Sequence, residues 1–268
     1  MTGSLTPDLQ TLTALQQAHL ATIPFESLDP VLGRPVHLDI HTLQDKMVRR
    51  RRGGYCHEHN SLFASVLDRL GFHVTGRSAR MLMGQNEREI CAVGHTVLSV
   101  KVEGHDWHVD VGIGASGPRG PIPLRAGTEI DTGPWRYRIE RAEHEHWLLQ
   151  LRRPDGWFNL IQFTEEPFYR ADFADQNFLA SHQPESPFTR HIIVSCNGSQ
   201  VRRSLKDQTL TTYRPGETPQ QLQIPAEEIP HVLSSVFGLE VSAEHESALV
   251  HRVRTSAGTP WTELSQGW

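Results

Sequence analysis

Residues 51–60 read RRGGYCHEHN and gather one of the chain's three cysteines, two histidines, a glutamate, an asparagine and two arginines. Three chemistries are open to such a set: a metal site, a buried thiol, or an activated nucleophile. The Gly53-Gly54 pair allows a tight turn just ahead of a helix that starts near Cys56, which puts the thiol at a helix N-terminus. A free thiol, with a pKa of about 8.5, is mostly protonated at neutral pH, whereas a helix N-terminus and nearby cations favour the thiolate. A lone cysteine near a helix start also fits a small buried side chain, so the nucleophile reading needs a base.

The stretch GHTVLSVKVEGHDWHVDVGIG, residues 94–114, supplies one. Glu103-Gly104 suits a two-residue hairpin turn, because glycine readily takes positive φ. That turn pairs Val102 with His105, Val100 with Trp107, Leu98 with Val109 and Val97 with Asp110. Leu98, Val100, Trp107, Val109 and Val111 then share one face, and His95, Val97, His108 and Asp110 share the other. His95 and Asp110 become diagonal neighbours about 7 Å apart at the backbone, within reach of an imidazole–carboxylate hydrogen bond. A cysteine, a histidine and an aspartate that holds the imidazole's tautomer and charge form a nucleophilic site.

A metal site fits less well. Adjacent helical residues diverge by about 100°, so His57, Glu58 and His59 cannot all face one ion, and HExxH is absent. A weaker metal grouping joins His108 and Asp110 to His105, whose plainer reading is a solvated turn residue. GIGASG at 112–117 satisfies GxGxxG, but Pro118 stands where a phosphate-binding helix should begin, and a nucleotide fold is rejected. Cys91 and Cys196 read as small buried residues. Arg49, Arg50, Arg51 and Arg52 read as a solvated face, or as a positive rim around the Cys56 segment.

These side chains must be carried by ordered elements. Residues 6–21 form a helix with Thr6 as cap and Pro7 at its first position, residues 42–50 are a second helical candidate, and the helix after Cys56 buries Leu62, Phe63, Val66, Leu67 and Leu70 and stops at Gly71. From about Val74 the pattern becomes short β-rich runs between turn residues, as in an antiparallel sheet or small barrel. A helical connector follows near residues 166–182. Strands then lie in TRHIIVSC, TLTTYRP and QLQIP, and AEEIPHVLSSVFGLEV reads as a helix broken near Pro230 and ended at Gly238.

At 268 residues, 37% hydrophobic and 21% charged, the chain is expected to fold around a sizeable core. A net charge of -5 gives no electrostatic reason to bind nucleic acid or an anionic membrane. Three cysteines with no close pair fit a reducing compartment, and neither a signal peptide nor an eighteen-residue apolar run is seen, so a cytoplasmic protein is expected. Oligomeric state is left open, a homo-oligomer included.

The motifs resemble those of the arylamine N-acetyltransferases. Arg52, Gly53, Gly54, Cys56, Glu58 and Asn60 match RGGxCxExN in full, DVGIG is similar to DVGFG, SHQPESPF to SxxPxSxF, IPFESLDP to PFENL, and SSVFGLEV to a C-terminal FGI/L signature. The resemblance implies an α+β, three-part fold with a cysteine-protease-like catalytic core: a helical domain at 1–75 carrying Cys56, a β-barrel domain at 76–186 carrying His95 and Asp110, and an α/β lid at 187–268. It implies the triad Cys56, His95 and Asp110, framed by Arg52, Gly53, Gly54, Glu58 and Asn60. It implies a ping-pong reaction with acetyl-CoA as cosubstrate, no bound cofactor and no metal, and an arylamine, hydrazine or arylhydroxylamine as acceptor. By the same resemblance Gly112 and Gly114 border the coenzyme A entrance, Phe188 contacts coenzyme A, and Phe25 lines the acceptor side. Ile113 departs from the family's phenylalanine, which bears on acceptor preference and not on the chemical step. Other readings are an amide synthase using a carrier-bound acyl chain, a papain- or transglutaminase-like thiol hydrolase, and a non-enzymatic binding module.

Overall fold

The computed structural model describes residues 6–88 and 91–256. Helix α1 (Leu9–Thr22) is capped by Asp8, whose carboxylate accepts from the Thr11 N–H at 2.8 Å, so the cap lies two residues later than Thr6. Strand β1 (Phe25–Glu26) and helix α2 (Leu28–Val31) follow, then helix α3 (Ile40–Leu43), which runs on as a π-helical segment over Gln44–Arg49. Helix α4 (Cys56–Arg69) begins at the cysteine and ends before Gly71, which takes φ +85° as its place in the sequence demands.

The next eight strands are β2 (His73–Met81), β3 (Val93–Val102), β4 (His105–Val109), β5 (Ile122–Pro123), β6 (Thr128–Thr132), β7 (Trp135–Arg141), β8 (Trp147–Arg153) and β9 (Gly156–Phe163). They form one antiparallel sheet in the order β5-β4-β3-β2-β9-β8-β7-β6. Ile122 from one edge strand and Ile130 from the other pack in the same core cluster, with Val97, Tyr137, Leu149 and Ile161. Residues from both edges thus pack on one interior cluster, as in a sheet curled into a nearly closed barrel. On its outer face Leu98, Val100, Val109 and Val111 pack against Leu12 and Leu20 of α1 and Phe63 and Leu67 of α4.

Helices α5 (Arg170–His182) and α6 (Pro187–Arg190) lead to β10 (Ile193–Asn197), β11 (Arg202–Lys206), β12 (Thr209–Tyr213) and β13 (Gln220–Gln223), and then to α7 (Ile229–Phe237) and α8 (Ala243–Ser256). The second sheet runs β1-β10-β11-β12-β13, so it includes β1, with Phe25 opposite Ser195 and Glu26 opposite Val194. Leu28 and Val31 share its core with Val194, Leu205, Ile229, Leu233 and Leu249. Residues 25–31 thus pack with the C-terminal sheet, although they precede Cys56 in the chain.

The expected hairpin register is the observed one: Leu98 faces Val109, Val100 faces Trp107 and Val102 faces His105, around a turn with φ +53° at Glu103 and +78° at Gly104. The helical stretch changes near Pro230 as expected, from a 3-10 turn at Ala226–Glu228 to α7 with Pro230 as its second residue, and Gly238 ends it with φ +66°. Cys91 and Cys196 are half-buried, not buried, and the Cys91 thiol lies 2.7 Å from Gln85 Oε1.

His108 is fully buried inside the barrel, stacked on Phe163 at 5.1 Å, with neither ring nitrogen hydrogen-bonded. Burial pushes its pKa down to about 4. The unfolded chain takes a proton near pH 6.5 that the folded chain refuses, so stability is lost as pH falls from about 6.5 to 4. Urea unfolding across that window should show a slope flatter by about 1.4 kcal/mol per pH unit in His108→Leu; an unchanged slope would contradict a neutral buried imidazole.

Candidate active site

The first turn of α4 sends each side chain to a different neighbour. Cys56 is 3% exposed, its thiol points at Gly94 O at 4.0 Å, and it lies close enough to the His95 imidazole to help raise that group's pKa. His95 Nε2 lies 2.7 Å from Asp110 Oδ2. Asp110 Oδ1 accepts from Asn60 Nδ2 at 2.9 Å and from the Gly112 N–H at 2.7 Å, which leaves both carboxylate oxygens occupied. Asn60 also donates to Thr96 O at 2.6 Å and accepts from the Val111 N–H at 3.2 Å. It therefore ties α4 to both strands of the hairpin.

Burial alone would lower the His95 pKa, but the Asp110 charge and the hydrogen bonds to Asp110 and Cys56 outweigh it and raise the value to about 10. Burial alone would raise that of Asp110, yet its imidazole partner, with help from His108 and Asn60, holds it below the usual carboxylate range. Both directions describe one buried pair, imidazolium beside carboxylate. The arrangement can therefore keep a proton on His95 while the thiol sulfur acts as nucleophile.

A second cluster anchors the helix start. The Glu58 carboxylate accepts from the Tyr55 N–H at 3.0 Å and from Lys46 Nζ at 2.7 Å, and Lys46 also pairs with Asp29 at 2.6 Å. Arg52 makes two hydrogen bonds to Glu26 Oε1, at 2.9 and 2.7 Å. Burial opposes charge on Lys46, but Glu26, Glu58 and Asp29 together raise its pKa. Three carboxylates thus share two cations, and full burial lifts Glu58, despite Lys46, to about 7. Of the arginine run, Arg49, Arg50 and Arg51 are exposed and only Arg52 is drawn into this cluster.

The glycine pair serves close approach rather than a turn. A Cβ on Gly53 would lie 2.0 Å from Pro24 O, and one on Gly54 would lie 2.8 Å from Glu58 Cβ, while positive φ falls instead on Arg51, at +52°. Gly112 is equally confined, since a Cβ there would sit 2.7 Å from Cys56 Cα. Gly114, at φ +81°, faces Ser195 Oγ. Phe25, Tyr55, Cys56 and Phe188 pack together, with Phe188 edge-on to Tyr55 at 5.0 Å. Ile113 packs into the barrel core.

His57 and His59 are both buried. His57 Nδ1 bonds Thr96 Oγ1 at 2.6 Å; His59 donates from Nε2 to Pro24 O at 3.2 Å, bonds His19 at Nδ1, and stacks on Phe25. Burial holds them neutral, with pKa values of about 3 and 4. The weaker metal grouping is undone by register, since His105 is exposed and strand alternation puts it on the face opposite His108 and Asp110. Among the described residues no three His, Cys, Asp or Glu side chains are grouped to hold an ion.

The family described as N-acetyltransferase matches residues 8–246. The arylamine N-acetyltransferase of Mycolicibacterium smegmatis is 38% identical over 243 residues, covering 89% of this chain and 88% of the relative. The chain belongs to the arylamine N-acetyltransferase family. The crystal structure of the arylamine N-acetyltransferase from Nocardia farcinica, 39% identical, superposes with a TM-score of 0.88 over 93% of this chain and 89% of that one. The Mycobacterium marinum arylamine N-acetyltransferase, solved in complex with CoA, is 31% identical, with a TM-score of 0.88 over 95% of each chain. The helical layer, barrel and second sheet are therefore an arylamine N-acetyltransferase fold.

Lys46, Glu26 and Tyr55 escaped the sequence reading. Lys46 carried a signal: it sits on the apolar stripe of Leu43 and Met47, where a charge is out of place unless paired. Replacing it by methionine in Lys46→Met strands Glu58 and Asp29 in the interior. We expect a loss of about 3–5 kcal/mol in denaturant unfolding, whereas Arg49→Ala, at an exposed pair, should leave the midpoint unchanged.

Proposed function

We propose that the protein transfers the acetyl group of acetyl-CoA to an arylamine, hydrazine or arylhydroxylamine through an acetyl-Cys56 intermediate. The observation that carries this reading is the buried His95–Asp110 pair, both its carboxylate oxygens occupied, beside the buried Cys56 at the start of α4, in a member of this family. Cys56 Sγ attacks the acetyl carbonyl, the carbon–sulfur bond to coenzyme A breaks, and the His95 proton goes to the departing coenzyme A sulfur. The acceptor nitrogen then attacks the Cys56 thioester, its proton passes to His95, and the Cys56 thiolate is restored.

In this reading Arg52, Gly53, Gly54, Glu58 and Asn60 frame the site. Gly112, Ile113, Gly114 and Phe188 border the donor, and Phe25 lines the acceptor side. Ile113 exerts its influence from within the barrel core, through the backbone of the turn it anchors. The chain divides into units at 1–75, 76–186 and 187–268, the first lending β1 to the sheet of the third. No helix among the described residues is long and apolar enough to cross a membrane, and we place the protein in the cytoplasm.

Mass spectrometry after incubation with acetyl-CoA should find one acetyl group on Cys56, and none in Cys56→Ala. An unmodified wild-type thiol that instead accepts a carrier-bound acyl chain, or that cleaves peptides, would transfer the assignment to an amide synthase or a hydrolase. Asp110→Asn removes the charge that supports the imidazolium, and arylamine-dependent coenzyme A release should fall about 10²–10⁴-fold. Full activity in that variant would refute the triad.

A further inference from the structure

Between the end of β4 at Val109 and the start of β5 at Ile122 the chain has almost no regular structure beyond one short turn of helix at Gly114–Ser116. Its backbone carbonyls nevertheless have partners, and these are side chains from distant elements. Gln16 of α1 donates from Nε2 to Asp110 O and Pro118 O, at 3.3 and 3.1 Å. Asn197 of β10 donates from Nδ2 to Gly114 O and Gly117 O, at 3.0 and 2.9 Å. The Tyr137 hydroxyl of β7 reaches Ser116 O and Gly117 O, at 3.0 and 2.8 Å.

The tyrosine is itself directed. Arg202 Nη1 donates to Tyr137 Oη at 2.7 Å, and since a guanidinium can only donate, the hydroxyl must turn its own proton toward the turn's carbonyls. Burial raises the Tyr137 pKa against the opposing pull of Arg202, so the hydroxyl keeps that proton. Arg202 is 1% exposed, lies 4.0 Å over the Trp135 ring, and leaves Nε and Nη2 without partners. Among the described residues it makes no ion pair. A buried charge so thinly compensated is costly, and its one side-chain hydrogen bond orients this tyrosine.

The clamped turn lies against the nucleophile. Gly112 abuts Cys56 Cα and gives its N–H to Asp110 Oδ1, and Gly114 abuts Ser195 and lies near Phe25, while Asn60 and His95 also hold the Asp110 carboxylate. The clamp touches residues 114–117, so a small shift there moves the wall at Gly114, beside Phe25 and Ser195, while Gly112, Asn60 and His95 still hold Asp110.

We propose that Tyr137, Asn197 and Arg202 are positioning residues that hold the 112–117 turn as the wall of the acyl-donor site, setting the affinity for acetyl-CoA and not the rate of chemistry. The proposal rests on the acetyl transfer argued above and on its placing of Gly112 and Gly114 beside the donor. Steady-state kinetics of Tyr137→Phe should show the KM for acetyl-CoA raised about tenfold, the size of one lost hydrogen bond with its stranded partner. The kcat should stay within about threefold and the KM for the amine should not change. Arg202→Met should act the same way, and Arg202→Lys should recover part of the affinity.

An unchanged acetyl-CoA KM in folded Tyr137→Phe, or an equal fall in both half-reactions, would overturn the proposal. Should Tyr137→Phe not fold, Asn197→Ser is read by the same split, and collapse of both would assign these residues a purely architectural part. Failure of the wild-type protein to acetylate Cys56 would instead sink the acetyl-transfer reading. A wild-type protein that is acetylated, with variants indistinguishable from it, would sink only the role of the turn.

Discussion

The contact between His95 Nε2 and Asp110 Oδ2, out of reach of water, sets the terms for everything around it. An ionised carboxylate in a protein interior needs all its oxygens occupied, and here the remaining donors come from Asn60 and the Gly112 backbone. Cys56 and Asn60 stand four residues apart, on one face of α4, so a single helix presents both the thiol and the amide that orients the acid. Glu58, between them, points away to Lys46. The spacing within residues 56–60 is thus the imprint of a helix turn meeting several partners at once.

That helix can hold its place only because a second set of buried charges fastens its beginning. Lys46, Glu26, Asp29, Arg52 and Glu58 lie on separate elements, and each ion pair among them locks two of those elements together. Such groups contribute little net energy compared with apolar packing, but they penalise any arrangement that leaves one of them alone. The interior around the thiol is therefore specified by charge as well as by shape.

Much of this was legible from the residue pattern, and the reasons differ from place to place. The β3–β4 hairpin could be read down to its register, because alternation and a Glu-Gly turn permit one solution in which the apolar set faces α1 and α4. The start of α4 at Cys56 could also be read, although the glycines that mark it are there to avoid collisions with Pro24 and Glu58. Strand β11, spelled RRSLK, and the short β5 and β6 were not visible, since their composition is polar or proline-bearing and neighbours decide their conformation. The partners of Lys46, and the burial of His57 and His59, depend on contacts far apart in the chain, and no local pattern reports them.

The pairing of β1 with β10 carries a further consequence. Phe25, part of the cluster around Cys56, lies in a strand whose partner is some 170 positions later, and Ser27 bonds Ile193 across 166 residues. The packing of Phe25 with Cys56 cannot be completed until the segment near residue 195 has left the ribosome and docked. A growing chain can shape α4 and the hairpin much earlier, because their contacts are nearer in sequence. Topology thereby postpones the last contacts around Cys56 until most of the polypeptide has been made.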